Sequence, residues 1–513
     1  MKNTHDSIVK TSIFILAITI ISRVLGFVRE TVVAAVFGVG AVTDAYAVAV
    51  QIIGTAAMLT SIYLTQLFVP TYVRAKEKDG ESKAMGVANN ALGVSIVVNF
   101  VLMGVLYVVS PLIIGLTGFN EEEIPLALTA TNIMLLQLPL LAFVNLFLGF
   151  MTARKSFFGV NAIGIPMSLA FIVAVLVFGT DSGVVGITVA ALLSVVGQVV
   201  LALFWIRKEG YRHKISVKFG TPELRSDMNL LMPAFFAGGI FNLKTWVDTL
   251  IATHLAEGSA AAIGFASRLF GLVSGLLILP FAGMAFSYMS EAAAKNDTKQ
   301  MMNILWKSIR IILFIVVPIV VITIPFSFDV VSIVFERGEF TPDATIMTGT
   351  ALLWYMPALL GQVVFTFLMR LYYGLQDTKT PMICSIISIS VNIGLSIWMS
   401  QTMGIGGLAL ATTIGTILSA ILLLLFLRRK VGVLGFGETA KNLFKMTICA
   451  VPCVLVVLGA RYLSAEQHEI IRFIISTIAG GVAYLGAAFL LRVIVVIDII
   501  HLVKERVTNK KQG

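Results

Sequence analysis

Charged residues are scarce in this chain. Of its 513 residues, 12% are Asp, Glu, Lys or Arg, 58% are hydrophobic, and the mean hydropathy is +0.96. Soluble domains carry about 25% charged residues, so this composition excludes an ordinary soluble protein and indicates an integral membrane protein. The alternating strand pattern of a membrane β-barrel is absent as well. We therefore expect the membrane spans to be α-helices.

Residue patterns for catalysis are also lacking. The chain has no G-x-x-x-x-G-K-[ST], no G-x-S-x-G, no His/Glu metal pair and no loop long enough for a catalytic domain outside the membrane, which argues against ATP hydrolysis. Cys384, Cys449 and Cys453 lie in apolar runs without a His or Cys at ligand spacing, so we expect them to be packing residues. These absences favour transport over enzymatic chemistry and predict a protein without a bound cofactor.

Apolar runs of about 20 residues, the length of a membrane-spanning helix, recur along the chain. They predict fourteen helices, at residues 10–30, 42–68, 85–115, 126–152, 157–180, 183–206, 227–253, 260–288, 303–332, 346–374, 380–402, 405–428, 440–463 and 470–500.

Basic residues are concentrated in alternate loops. The loop "RKEGYRHKISVKFGTPELR" lies on one side, whereas "GFNEEEIP" and "QTMG" on the other side hold no Lys or Arg. The positive-inside rule then predicts a multi-pass protein with both termini in the cytoplasm. The net charge of +10 is spread over these short loops, so it indicates a membrane surface and not a nucleic acid as the partner.

The chain contains an internal repeat. "GVVGITVAALLSVVGQVVLALFWIRK" from Gly183 resembles "GIGGLALATTIGTILSAILLLLFLRR" from Gly404, and "ETVVAAVFGVG" from Glu30 resembles "DTLIATHLAEG" from Asp248. Both pairs are about 220 residues apart, which predicts two pseudo-symmetric six-helix bundles and two extra C-terminal helices. Recurrence of Gly and Ala for helix packing alone is the alternative. The predicted domains are a bundle at 1–206, a basic cytoplasmic linker at 207–226, a second bundle at 227–430, and helices thirteen and fourteen with a basic tail at 431–513.

Charges interrupt the first apolar run at "ISRVLGFVRE", residues 21–30. At 100° per residue, six residues share one third of the helix circumference: Thr19, Ser22, Arg23, Gly26, Arg29 and Glu30. An arginine at the bilayer centre costs about 2.5–3.5 kcal/mol and usually faces a bundle interior or an aqueous cavity. We expect this face to line a cavity. In the alternative, Arg29 and Glu30 lie at the outer interface and Arg23 pairs with a carboxylate elsewhere.

Further polar residues inside apolar runs fit the same cavity: Asp44, Gln51, Thr55, Lys244, Asp248 and Arg268. Lys244 and Asp248 are one helical turn apart, so they either line the cavity or only neutralise each other. A cavity in which cations outnumber carboxylates favours an anion, and the planar guanidinium fork suits phosphate. Inside a membrane, that anion is expected to be a lipid-linked phosphate or pyrophosphate.

Three stretches resemble a known family. "SRVLGFVRETVVAAVFGVGAVTDAYAVAV", "WVDTLIATHLAEGSAAAIGFASRL" and "VFERGEFTPDATIMTGTALLWYMPALLGQVVFTFLMRLYYGLQDTKTP" resemble the MurJ (MviN) lipid II flippases of the multidrug/oligosaccharidyl-lipid/polysaccharide exporter superfamily. The resemblance implies alternating-access transport of lipid II, the undecaprenyl-pyrophosphate-linked peptidoglycan precursor, from the inner to the outer leaflet of the bacterial cytoplasmic membrane. Such a protein serves cell wall synthesis and cell shape, with membrane lipids and cell-wall synthesis proteins as its further partners.

The same resemblance implies roles for individual residues. Arg23, Arg29 and Arg268 take the positions that contact the pyrophosphate, and other polar or close-packing positions fall on Ser22, Gly26, Glu30 and Asp44. A sodium ion is implied among helices seven, eleven and twelve, where Asp248, Asn392 and Thr412 would supply oxygens and Ser396 stands where an acid is expected. Lys244 joins the substrate-binding set as one of the further polar residues that fit the cavity. The membrane potential is expected to help return the empty, positively charged cavity.

The second helix departs from the family pattern. "QIIGTAAMLTSIYLTQLFVP", residues 51–70, lacks the arginine and glutamate that usually precede "FVP". This absence motivates an alternative cargo, another undecaprenyl-linked polysaccharide repeat unit. A cationic-drug exporter would need an acidic cavity, and a scaffold that does not transport would leave the buried arginines unexplained.

Overall fold

Helices form all the regular secondary structure in the part of the chain that the structure describes. The computed structural model describes residues 2–212, 214, 216–295, 297–432 and 436–498, and no strand occurs within them. Long apolar segments favour this outcome, because a helix satisfies its own backbone hydrogen bonds where water is absent. The predicted all-α membrane fold is confirmed.

The chain divides into two compact units. The first comprises Met1–Ala261 and Phe335–Ala344, and the second comprises Ala262–Val334 and Thr345–Gly513. The helices run in chain order as α1 Lys2–Phe37, α2 Ala41–Ile62, α3 Phe68–Asp79, α4 Glu81–Ile114, α5 Glu123–Leu135, α6 Gln137–Ala153, α7 Phe157–Ala162, α8 Gly164–Phe178, α9 Gly183–Lys208, α10 Pro222–Thr253, α11 Ser259–Val273, α12 Leu279–Ala294, α13 Thr298–Thr323, α14 Ser327–Phe335, α15 Pro342–Tyr355, α16 Ala358–Gly374, α17 Lys379–Val431, α18 Phe436–Leu463 and α19 Glu469–Leu490.

Several helices are interrupted within the membrane. Among the described residues, nine helices are long and apolar enough to cross a bilayer, or eleven if each bent pair counts as one span. The bends measure 43° between α5 and α6 and 47° between α15 and α16. Within α17, Gly404 has φ 55° and ψ −132°, a conformation that glycine adopts without a steric penalty. This break separates the eleventh and twelfth predicted runs, and the count of fourteen spans stays a prediction.

The unit boundary differs from the predicted domain boundary. We predicted that the second bundle begins at residue 227, whereas α10 lies in the first unit, which continues to Ala261. Contacts of α10 with α2 account for this grouping. The predicted domains describe an internal repeat in the sequence, and a repeat does not determine which helices pack together.

The two halves of the chain share one local irregularity. A π-helical turn occurs at Tyr63–Leu67, directly before α3, and another at Ser274–Ile278, directly before α12. Pro70 and Pro280 follow within three residues of these turns. Their separation of about 210 residues is close to the spacing of the sequence repeat, and π-turns often mark functional positions in helices.

The basic linker is docked against α4. The Asn90 side chain donates to the carbonyl of Lys218 at 3.0 Å and accepts from its amide at 2.7 Å. Asn89 makes the same kind of paired contact, donating to the carbonyl of Arg212 and accepting from the amide of Lys214. These amides satisfy backbone groups of Arg212, Lys214 and Lys218, so the described residues of the linker between α9 and α10 are held against α4.

A buried carboxylate holds the C-terminal helices of the second unit. Asp329 on α14 is 5% exposed, and it pairs with Arg461 of α18, at 2.9 Å between Nη2 and Oδ2, and with Arg472 of α19. The Arg461 guanidinium also lies over the Phe326 ring at 4.9 Å. Arg461 and Arg472 are therefore ion-pair partners of one buried carboxylate within the second unit.

Replacing Asp329 should loosen this attachment. Asp329→Asn leaves two arginines beside a neutral side chain, and we expect a loss of about 2 kcal/mol of stability, or about 2–4 °C in the melting temperature of the detergent-solubilised protein. Glu466→Gln, in the exposed connection between α18 and α19, is the matched control. Equal melting temperatures for the two variants would contradict the clamp.

Candidate functional site

The charged face of α1 is partly covered by neighbouring helices. Thr19 donates to the Asn161 side chain at 3.1 Å. The Ser22 hydroxyl lies against the Gly164 backbone, where an added Cβ would collide with it. The contacts of α1 with α7 and α8 therefore include Thr19 and Ser22.

Arg29 and Glu30 form an ion pair on the same face of α1, and Glu30 is 7% exposed. The Arg29 Nε and Nη2 atoms donate to Glu30 Oε1 at 3.2 and 2.7 Å, and the guanidinium lies 5.5 Å from the centre of the Phe171 ring. Arg23 is exposed. A Cβ added to Gly26 would meet no atom within 4 Å, so Gly26 makes no close contact with another helix. Arg23 and Arg29 each lie three residues from Gly26 on α1.

The cation of α10 is also paired. Lys244 Nζ lies 2.5 Å from Asp248 Oδ2, and Asp248 is 5% exposed. On the same helix, Trp246 Nε1 donates to Thr55 Oγ1 of α2 at 2.8 Å. In this structure Lys244 and Asp248 therefore neutralise each other, which is the second of the two alternatives given for this pair.

Asp44 caps a helix. It is 2% exposed, and its two carboxylate oxygens accept hydrogen bonds from the backbone amides of Gly258 and Ala261, each at 2.7 Å. Gly258 has φ +84°, and an added Cβ would lie 2.5 Å from Val39, so glycine is required there. A carboxylate at the first turn of α11 satisfies amides that have no partner within the helix.

A second carboxylate makes the reciprocal contact. Glu257 Oε1 accepts a hydrogen bond from the backbone amide of Ala41 at 3.0 Å, in the first turn of α2. Asp44 of α2 therefore caps the start of α11, and the residue just before α11 caps the start of α2. Each helix start depends on an acidic side chain from the other segment.

The second unit holds the remaining predicted residues. The Arg268 guanidinium lies 5.7 Å from the centre of the Phe265 ring. Asn392 is 1% exposed, and its amide nitrogen and oxygen have no hydrogen-bond partner in the described protein. Thr412 donates to the carbonyl of Leu408 at 3.3 Å. Ser396 is fully buried.

The sodium set fits an ion only in part. An orphaned buried amide such as that of Asn392 suits an oxygen ligand for a hard cation, and Ser396 and Thr412 add hydroxyl groups. Asp248 is already neutralised by Lys244, so it offers no spare negative charge in this conformation. Among the described residues, no group of three or more His, Cys, Asp or Glu side chains forms a metal cluster.

Comparison with known proteins gives a match along most of the chain. The family described as "Lipid II flippase MurJ" matches residues 33–477. The chain belongs to the lipid II flippase MurJ family. This confirms the resemblance: the matched range includes the second and third of the quoted stretches and most of the first, and it begins after Arg29.

Related proteins agree over similar lengths. A probable lipid II flippase MurJ of Rhizobium meliloti is 27% identical over 430 residues, covering 81% of this chain and 80% of the relative. The lipid II flippase MurJ of Burkholderia cenocepacia is 26% identical over 466 residues, covering 88% and 89%.

Solved structures share the fold. A lipid II flippase MurJ in an inward closed conformation has a TM-score of 0.78 at 22% identity, covering 94% of this chain and 100% of that one. An inward-facing multidrug resistance MATE family transporter of the MOP superfamily has a TM-score of 0.69 at 16% identity, covering 83% and 99%. The superfamily fold that the resemblance implied is therefore present.

Sequence reasoning missed the partners of the predicted residues. It did not identify Glu257 as a cap, Phe171 as the surface beneath Arg29, or Trp246 as a donor to Thr55. Glu257 could have been noticed, because it precedes a glycine and a serine at a helix start. The other two depend on contacts between distant helices, for which one sequence carries no signal.

Removing the Asp44 carboxylate should destabilise the protein, because two backbone amides lose their hydrogen-bond acceptor. Asp44→Ala leaves two buried N–H groups without an acceptor, and we expect a loss of about 2–4 kcal/mol of stability. Asp44→Asn keeps one oxygen acceptor and should lose about half as much. The check is thermal unfolding of the purified variants, with Glu257→Gln, which retains its acceptor, as control. If Asp44→Ala has the same melting temperature as the wild type, the capping interpretation is wrong.

Proposed function

We propose that this protein translocates lipid II from the inner to the outer leaflet of the bacterial cytoplasmic membrane by alternating access. Membership of the lipid II flippase MurJ family over residues 33–477 is the observation that carries the proposal. The relatives from Rhizobium meliloti and Burkholderia cenocepacia bear the corresponding names, and these names favour lipid II over another undecaprenyl-linked repeat unit.

The charged face of α1 supplies the chemistry that the proposal requires. The Arg29 guanidinium, now held by Glu30 and Phe171, can turn its fork to the oxygens of a pyrophosphate, which carry more negative charge than one carboxylate. Arg23 is exposed and has no competing carboxylate at ion-pair distance among the described residues. We propose that these arginines and Arg268 bind the pyrophosphate, with Lys244 contributing when it leaves Asp248.

Translocation on this scheme involves no covalent step. Substrate and product differ only in the leaflet that they occupy, so the residues named above bind and release charge and transfer no group. We therefore propose a transporter without catalytic activity, with both termini in the cytoplasm. The basic loops predict this orientation.

The decisive experiment follows lipid II itself. In cells that carry this protein as their one flippase, depletion should leave lipid II in the inner leaflet, and restoration should return its headgroup to the outer one. The readout is labelling of the peptide amine by a reagent that does not cross the membrane. Continued labelling after depletion would exclude lipid II as the cargo, and accumulation of a different lipid-linked glycan would favour the alternative.

Single arginine variants test the binding role. Arg29→Ala and Arg268→Ala each remove a charge-assisted contact worth about 1.5–3 kcal/mol, so we expect outer-leaflet labelling to fall about 10- to 100-fold while the proteins still insert. Arg29→Lys should recover little, because an ammonium cannot form the fork. Arg225→Ala, at an exposed position of α10, is the control. Normal transport by both alanine variants would refute the role.

We further propose that the membrane potential assists the return of the empty protein. Each elementary charge that crosses the full field is worth about 2.3 kcal/mol per 100 mV, and the net positive charge of the arginines would respond to it. Collapsing the potential with valinomycin and potassium should slow labelling several-fold in proteoliposomes. An unchanged rate would exclude this coupling.

A sodium ion held by Asp248, Asn392 and Thr412 is a separate proposal. It is supported by the orphaned Asn392 amide. Replacing sodium by choline at constant potential tests it, since the rate should then fall in the wild type and already be low in Asn392→Ala.

A further inference from the structure

A cavity of about 700 Å³ lies inside the second unit, and none of its lining residues belongs to the proposed transport site. It is bordered by the first turns of α13, the last residue of α17 and the first turn of α18. The residues that matter here are Lys299, Asn303, Trp306, Arg310, Val431 and Glu438. The four on α13 follow one another at intervals of three or four residues, so they form one stripe of the helix.

Arg310 is the buried charge of this cavity. It is 7% exposed, and its Nη1 donates to the hydroxyl of Thr439, a fully buried residue of α18, at 3.0 Å. Within the described residues, no carboxylate lies at ion-pair distance from it. Arginine keeps its proton under all ordinary conditions, and a buried cation without an anion costs several kcal/mol. A neutral hydroxyl offsets little of that cost, so the guanidinium needs a further, negatively charged partner.

The acidic residues at the cavity do not provide that partner. Asp297 accepts from the backbone amide of Gln300 at 2.9 Å and thus caps α13. Glu438 is exposed at the rim. Lys299, at the outer end of the stripe, is exposed as well. The cavity therefore has an interior cation and a mixed, solvated rim, which suits a group with its negative charge inside.

The depth of the cavity matches the headgroup layer. On α18, Phe444 is 68% exposed and lies six residues, or about 9 Å, beyond Glu438. An exposed aromatic ring at that level indicates the start of the hydrocarbon region, and the polar layer outside it is several Å thick. The cluster at residues 428–430 adds three basic residues near the rim, on the side that we predict to face the anionic inner leaflet.

We propose that this cavity holds the phosphate group of a membrane phospholipid, with Arg310 as its cationic partner. The guanidinium fork binds two phosphate oxygens, the volume exceeds that of a headgroup phosphate, and the glycerol and acyl chains continue into the bilayer past Phe444. The bound lipid joins α13 to the start of α18, because Arg310 contacts both.

Lipid binding to the full-length protein tests the proposal. The protein is delipidated in detergent, mixed with phosphatidylglycerol in micelles, and measured by native mass spectrometry and by thermal unfolding. The wild type should retain one phosphatidylglycerol more tightly than the remainder and should melt at a higher temperature with it. Arg310→Gln should bind that lipid about tenfold more weakly, as expected for one lost charge-assisted contact, whereas Arg225→Gln, an exposed arginine of the first unit, should bind normally.

A second variant addresses the case in which Arg310→Gln does not fold. Asn303→Trp keeps the arginine and fills the cavity from an exposed position of α13, so it should also lose the tight lipid. Wild-type retention of phosphatidylglycerol by Asn303→Trp would overturn the proposal. Thermal stabilisation by glycerol phosphate, with none from phosphatidylglycerol, would overturn the lipid assignment in favour of a soluble phosphate.

Discussion

A charge inside an apolar helical bundle must find a partner, and this constraint organises the chain. Asp329 has two arginines, Asp44 has two backbone amides, and Lys244 and Glu30 each have an oppositely charged neighbour on their own helix. Removing one member of such a set leaves an uncompensated charge, which costs more than the pair contributes. The sets at Asp329 and Asp44, which join different helices, therefore fix those helices to each other.

The partners differ in how easily they can release the charged group. The amides that bind Asp44 belong to a helix start and cannot move without unfolding that turn, so this contact is structural. The Arg29 to Glu30 pair is between neighbours on one helix, and its release requires only side-chain rotation. A pyrophosphate can compete for the guanidinium without breaking a contact between helices. Charges held by local partners are thus the ones suited to transport, and charges held across helices are suited to stability.

The sequence repeat and the packing of the helices divide the chain at different places. Matched segments about 220 residues apart and the two π-helical turns indicate a common origin of the halves. Nevertheless α10 and the start of α11 lie in the first unit. The Trp246 to Thr55 hydrogen bond and the Asp44 caps hold this segment there.

Composition and hydropathy alone determined the helical membrane fold, because hydrocarbon leaves a long apolar chain few other ways to satisfy its backbone. Helical spacing also placed Ser22, Arg23, Arg29 and Glu30 on one face. Only the tertiary structure decided which part of that face is covered by α8, that Asp44 caps a distant helix, and that Arg310 borders a cavity. These outcomes depend on contacts between residues more than 100 positions apart, and a single sequence does not encode such pairings in any local pattern.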